Sequence, residues 1–194
     1  MNATATATAT RPLATLSQVQ TYDVDPSHSS ATFKVRHLMV SNVRGELGRI
    51  TGQVVIDEGD LGRSSVEATI DATAINTRDE KRDAHLRSPD FLDTQNHPTI
   101  TFRSTRVEAG KSGHLLVTGA LTIRGISKEV TLDVEPLSPE IRDPWGNDKR
   151  GVTATARINR KDFNVSFNAA LDGGGVLVGD EVSVTLEIEL GRRA

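Results

Sequence analysis

From Glu181 to Leu190 apolar and polar residues alternate one for one. Val182, Val184, Leu186, Ile188 and Leu190 interleave with Glu181, Ser183, Thr185, Glu187 and Glu189. Successive side chains of a strand point to opposite faces, so this pattern predicts a strand with one dry and one wet face. The same period returns at Leu115, Val117, Gly119, Leu121 and Ile123, at Val130, Leu132 and Val134, and at Val152, Ala154, Ala156 and Ile158. Earlier runs place Phe33, Val35 and His37 in one phase, then Ile50, Gly52, Val54 and Ile56, then Val66, Ala68 and Ile70, then Ile100 and Phe102. The result is about eight main strands at a spacing that suggests an all-β barrel or sandwich. Clean alternation marks antiparallel pairing with one face packed inward. Turn residues stand at the joints: Glu58-Gly59-Asp60, the segment 109–113, Arg124-Gly125, Trp145-Gly146-Asn147-Asp148 and Gly173-Gly174-Gly175.

Helix signals are confined to the middle of the chain. Thr77-Arg78-Asp79-Glu80 reads as a capping box opening a helix to about Arg87. Asp79 with Arg82, and Asp83 with Arg87, fall at pairing distance along it. Ser88-Pro89-Asp90-Phe91 reads as a second cap with proline at the first helical position, and Asn159-Arg160-Lys161-Asp162 as a third short turn. The expected architecture is therefore a lipocalin-like antiparallel barrel with one or two short helices at one end, and a close-packed sandwich is the alternative.

Residues 1–18 are an Ala/Thr-rich tract with too little apolar surface to offset the entropy of ordering, so this segment is expected to be disordered. It has neither a basic n-region nor a continuous apolar run, unlike a secretory signal, and a cytoplasmic protein is expected. Residues 19–191 are expected to form a single domain, consistent with a length of 194 residues. No apolar run approaches the ~18 residues of a transmembrane segment. A net charge of −3 argues against nucleic acid as the partner, because phosphate binding needs a basic surface. Cysteine is absent, which removes disulfides, thiolate nucleophiles and cysteine-held metal clusters.

Composition also bears on the barrel interior. Aromatics are few (five Phe, one Tyr, one Trp), and several inward-phase positions are small: Gly52, Ala68, Gly119, Ala154 and Ala156. A barrel of about eight strands is either filled by its side chains or holds one small ligand. Small residues and scarce aromatics favour the second, with an apolar cavity. Its expected lining is Phe33, Val35, Ile70, Phe102, Leu121, Phe163 and Phe167, with His37 near a polar group of the ligand. A buried histidine bonded to backbone or carboxylate is the plainer reading of His37. Phe163, Val165 and Phe167 share one phase and suit core packing as well as cavity lining. Arg82, Asp83 and His85 are expected to help close one barrel end, with Leu86, Phe91 and Leu92 as its apolar plug, although a run of mixed charges is ordinarily a solvated helix face. Trp145, between Pro144 and Gly146, is expected to pack on a turn. No nucleophile elbow, phosphate loop, zincin helix or dinucleotide fingerprint occurs, so no catalytic residue, cofactor or metal site is assigned.

Ordered blocks along the chain resemble the YceI-like family. They are Asp25-Pro26-Ser27-His28-Ser29 with Phe33-Lys34-Val35-Arg36-His37-Leu38, Arg82-Asp83-Ala84-His85-Leu86 with Ser88-Pro89-Asp90-Phe91-Leu92, and Pro98-Thr99-Ile100-Thr101-Phe102. Gly119-Ala120-Leu121-Thr122-Ile123-Arg124-Gly125, Asp143-Pro144-Trp145-Gly146, Ile158-Asn159-Arg160-Lys161-Asp162-Phe163 and Val178-Gly179-Asp180-Glu181-Val182 complete the set, from about Tyr22 to Ile188. The resemblance implies a lipocalin-like barrel with a long apolar tunnel, and a partner that is a polyisoprenoid, an isoprenoid quinone or a fatty-acid-like amphiphile. It also implies homodimers and roles in transport, antibiotic scavenging or stress response. Asn164 stands where the family pattern leads one to expect glycine. Binding, carriage or buffering of such a lipid is thus the first expectation. An enzyme acting on a lipid-like substrate with His37 or His85 as acid/base is the alternative, and a filled barrel with a structural or stress-response role is the third.

Overall fold

A computed structural model describes residues 19–170 and 175–193. The segment expected to be disordered and most of the Gly173-Gly174-Gly175 turn lie outside the described residues. Eleven strands are formed: β1 (Val19–Val24), β2 (Ser30–His37), β3 (Ser41–Glu46), β4 (Ile50–Asp57), β5 (Ser65–Asp71), β6 (Thr99–Ala109), β7 (Leu115–Ile123), β8 (Ile126–Val134), β9 (Ile141–Arg142), β10 (Asp148–Asn159) and β11 (Val178–Arg192). One α-helix, α1 (Glu80–Arg87), lies between β5 and β6, and single 3-10 turns span Leu61–Arg63, Ala72–Ala74 and Arg160–Phe163.

Eight strands close into a ring in the order β1-β4-β5-β6-β7-β8-β10-β11, every pairing antiparallel. Closure depends on the length of β11, which has 15 residues. One of its edges carries β10 from Glu181 to Gly191. The other carries β2 from Val182 to Glu187 and then β1 from Leu190 to Arg192. The sheet therefore meets itself, which decides for a barrel over a sandwich. The β2–β3 hairpin and the two-residue β9 are additions at its margins.

The alternation read from the chain matches the inward face. On β11, Val182, Val184, Leu186, Ile188 and Leu190 all line the interior, as do Val152, Ala154, Ala156 and Ile158 on β10. Two of the small inward residues have another explanation than the one expected. A Cβ on Gly52 would stand 2.3 Å from the Glu67 carbonyl oxygen, and one on Gly119 would stand 2.4 Å from that of Arg103. These glycines let neighbouring backbones approach, whereas Ala68, Ala154 and Ala156 do leave room inside.

The helix begins later than its sequence suggests. Asp79, not Thr77, is the N-cap, accepting from the Arg82 amide at 3.1 Å. Thr77 instead donates its backbone N–H and its hydroxyl to the buried Asp83 carboxylate, at 2.8 and 2.5 Å. Asp83 thereby ties α1 to the strand-to-helix loop rather than pairing with Arg87, which donates to the Ile75 carbonyl at 3.3 Å. No second helix follows: Ser88 is the C-cap of α1, its N–H and hydroxyl both turned to the His85 carbonyl. The third turn forms as expected, capped by Asn159, and Asn164 ends it at φ 57°. Asparagine tolerates the left-handed region better than other non-glycine residues, so the turn keeps the shape a glycine would give it. Trp145 does not pack. It is 84% exposed on a turn held by the Asp143 carboxylate.

The end of the barrel formed by the start of β10 and the end of β11 is pinned by a charge cluster. Lys149 donates to Asp25 at 2.9 Å and lies 3.0 Å from Glu189, joining the β1–β2 loop to β10 and β11. Hydrogen bonds from Lys149, the Ser27 amide and His28 hold the Asp25 carboxyl far below its ordinary pKa, and the same contacts raise the pKa of Lys149. A depressed carboxylate pKa contributes stability above its unfolded value near 4, lost as pH falls through the folded value. Lys149→Met is therefore expected to lower stability by about 2 kcal/mol at pH 7. In urea melts this difference is expected to shrink as the pH drops below about 4, and an equal loss at both pH values would refute the pairing.

Candidate functional site

The barrel encloses a cavity of about 420 Å³ whose wall is almost wholly aliphatic and aromatic. That size and lining suit a small apolar ligand. Phe33, Val35, His37, Ile70, Phe102, Leu121, Phe163 and Phe167 all border it, so the eight residues singled out by phase converge on one space. Of those expected to close the end, Arg82, His85, Leu86, Phe91 and Leu92 also border it. Asp83 does not, because it is buried behind Thr77.

Ser64 borders the cavity at one end, before β5, while most polar side chains on its wall, namely Arg36, His37, Arg82, His85 and Arg160, lie at the opposite end, where α1 sits. Phe91, Phe167 and His85 form a ring cluster there, with centroid distances of 4.9 Å (His85–Phe91), 4.8 Å (His85–Phe167) and 5.1 Å (Phe91–Phe167). The His85 edge contacts are close to perpendicular, the favoured arrangement of aromatic quadrupoles. His85 Nε2 lies 2.9 Å from the Asp90 carboxylate, which fixes the ring's outer side. Arg124 spans from the β7–β8 turn to the Phe91 and Asn164 carbonyls at 3.0 and 2.8 Å, locking the plug to the barrel rim.

Arg160 organises the same end. It is 5% exposed, and its guanidinium donates to the carbonyls of Val165, Phe167, Gly179 and Val178 at 2.6, 2.9, 2.9 and 3.2 Å. Burial lowers its pKa, opposed by the Asp180 carboxylate. One side chain thus orders both the segment carrying Phe167 and the start of β11. The sequence identified the segment around Arg160 but not this role, since nothing in the chain marks an arginine that bonds only to distant carbonyls and one carboxylate.

His37 sits where β2 ends, opposite Val178 in register. Among the described residues its imidazole forms no hydrogen bond with the protein, unlike the satisfied core histidine that would be the plainer expectation. Arg36, Val43, Leu177 and Val178 border the cavity beside it. At the opposite end Tyr22 is fully buried, and its hydroxyl contacts Gln20 and donates to Glu140 at 2.8 Å. Burial and then the Glu140 carboxylate raise the Tyr22 pKa. Asp25, His28 and Glu189 bring donor atoms within 4.8 Å of one another, but the Lys149 ammonium occupies their midst.

A closed antiparallel barrel with an apolar interior and most of its polar wall groups toward one end has the lipocalin-like architecture. The chain belongs to the YceI-like family, whose domain model matches residues 22–190. It is 38% identical over 168 residues to the UPF0312 protein SA2479 of Staphylococcus aureus strain N315, covering 87% of this chain and 95% of that one. Among solved structures it is similar to BcnA of Burkholderia cenocepacia (TM-score 0.74, 23% identity, 86% and 98% of the two chains) and to the Campylobacter jejuni YceI protein (0.68, 27%, 81% and 90%). It also matches a polyisoprenoid-binding domain of Saccharophagus degradans (0.63, 14%, 89% and 98%), a likeness of fold. Among the described residues no helix is long and apolar enough to cross a membrane.

Proposed function

We propose that the protein binds and carries a long-chain isoprenoid or similar amphiphile, its tail in the barrel and its polar group beside His37. The observation that carries this reading is the apolar cavity whose charged and imidazole wall groups lie toward the α1 end. The polyisoprenoid-binding description of the Saccharophagus degradans domain supports the same ligand class. Tail burial supplies the driving force, worth about 0.8 kcal/mol per methylene removed from water. His37, whose ring nitrogens have no hydrogen-bond partner among the described residues, suits a carbonyl or hydroxyl headgroup. A cytoplasmic carrier, paired as a homodimer through the free edge of β3, is the physiological form proposed.

Isoprenoid quinones of increasing tail length are expected to bind more tightly with each unit until the cavity is full, in a titration followed by intrinsic fluorescence. Affinity independent of tail length would overturn the reading. His37→Leu is expected to weaken quinone binding about 10-fold, the loss of one hydrogen bond, while leaving the matching hydrocarbon unaffected. Equal loss for both ligands would remove His37 from the headgroup site.

A second reading, acid–base chemistry on a lipid, is favoured by the 2.9 Å pair of His85 and Asp90 beside the cavity. Such chemistry needs the reacting atom within hydrogen-bond reach of the imidazole. The imidazole packs edge-on against Phe91 and Phe167, and its Nε2 faces Asp90, an arrangement that suits a plug better than a base.

A further inference from the structure

The turn joining β2 to β3 carries Leu38, Met39 and Val40, which are 38%, 53% and 74% exposed. Three consecutive large apolar side chains in water form a patch of the kind that marks an interaction site. The backbone beneath them is unusual. Leu38 and Met39 have φ of 50° and 60°, and the Val40 amide closes the turn onto the His37 carbonyl at 3.1 Å. Two central residues at positive φ make the hairpin turn that favours Asn-Gly, and bulky apolar residues are poor choices for it. The turn is nevertheless held: the Leu38 amide donates to Leu177, and Arg36 donates to the Met39 carbonyl at 3.1 and 2.8 Å. Neither packing nor turn chemistry accounts for the choice of side chains.

The surroundings indicate what the patch meets. Lys34, Arg36 and Arg44 are exposed on the same hairpin, Lys34 opposite Arg44 in register, and Arg36 also borders the cavity. Among the described residues none of the three pairs with a carboxylate. The nearby acids of β11 are already engaged, Asp180 by Lys161 and Arg160 and Glu181 by Arg157. An apolar tip with Arg36 at its base and Lys34 and Arg44 behind it, none neutralised by a carboxylate among the described residues, complements a surface that is negatively charged outside and hydrocarbon within, which is an anionic lipid bilayer. The next residue back is His37, on the cavity wall.

We infer that the Leu38–Met39–Val40 turn is a membrane-docking tip, which inserts into an anionic bilayer and brings the His37 end of the cavity to the lipid. The docking stands on the tip's own geometry, and its use in loading the cavity rests on the lipid-carrier reading. Trp145, 84% exposed, and Ile141, 63% exposed, sit near the start of β10, where Lys149 pairs with Gly191. The length of β11 separates them from Val178 and His37, roughly 40 Å of extended chain.

The test is co-flotation of the full chain with vesicles of phosphatidylcholine alone or with phosphatidylglycerol, for the wild type, Leu38→Asn/Met39→Gly/Val40→Thr and Trp145→Ser. The wild type and Trp145→Ser are expected to float with phosphatidylglycerol vesicles and to be released by salt. The triple variant is expected to bind at least ten-fold less while melting at the same or a higher temperature, because Asn-Gly suits the turn. Equal flotation of the triple variant, loss confined to Trp145→Ser, or no wild-type binding would overturn the inference. So would a wild-type dimer that the triple variant converts to monomer, which would assign the patch to a second copy of the chain. Quinone titration of the triple variant in detergent separates the two proposals. Retained uptake with lost flotation in the triple variant supports both, and wild-type flotation without quinone uptake by either protein leaves docking standing and the carrier reading refuted.

Discussion

Arg160→Met is expected to lower the stability of the protein by about 3–5 kcal/mol, because several carbonyls lose one shared, buried donor. For a chain of this size the melting temperature should fall by about 10 °C. The reason lies in what the guanidinium leaves behind. The carbonyls of Val165, Phe167 and Gly179 lose the guanidinium donor at once, and Val165 is buried, whereas the Val178 carbonyl keeps the Asn168 side-chain amide at 2.8 Å. A buried acceptor without a donor costs about 1–3 kcal/mol, and water that enters the gap recovers part of the total. The damage should be local in kind, loosening the Phe163–Phe167 segment and with it the ring cluster at the cavity end. Arg160→Lys keeps the charge but not the planar fork, so it should recover less than half of the loss. Urea denaturation of the three proteins measures this, and a loss below about 1 kcal/mol for the methionine variant would contradict the role given to Arg160.

Filling the cavity should have the second large effect, on binding instead of stability. Ala154 and Ala156 project inward from β10 two residues apart. Ala154→Leu with Ala156→Phe places new carbon where a tail would lie. Excluding roughly four methylenes removes about 3 kcal/mol of burial, a fall of about 100-fold in affinity for a long prenyl quinone. The melting temperature should fall by several degrees at most, because Ala156 faces the cavity, whereas Ala154 belongs to a buried cluster with Phe102, Val117 and Val134 and its enlargement costs about 1–3 kcal/mol of overpacking. Unchanged affinity in a folded variant would place the ligand elsewhere.

Much of the barrel was legible because strands half exposed to water must alternate. β7, β10 and β11 read directly from their runs, and the cavity lining from their phase. β3 escaped notice because it is an edge strand, polar on nearly every position, with Val43 as its one apolar residue on the cavity wall. The helix starts two residues later than its pattern predicts because Thr77 and Asp79 both have capping chemistry, and only the buried position of Asp83 decides that the Thr77 hydroxyl is engaged elsewhere. The space inside was attributed to five small residues, two of which answer to backbone approach instead. Arg160 and the Leu38–Met39–Val40 tip left no local mark, since the first acts through distant carbonyls and the second through exposure and backbone angles. Trp145 was expected to pack and stands in solvent, because a turn offers it no neighbouring face.

The central claim is that the barrel holds an amphiphile, and native mass spectrometry of the freshly purified protein tests it most directly. The account predicts a protein–lipid complex whose adduct is released by organic extraction as an isoprenoid or related long-chain molecule. It also predicts that added isoprenoid quinone reloads the stripped barrel. The mass of the bare chain alone, with no uptake of added quinone, would contradict it.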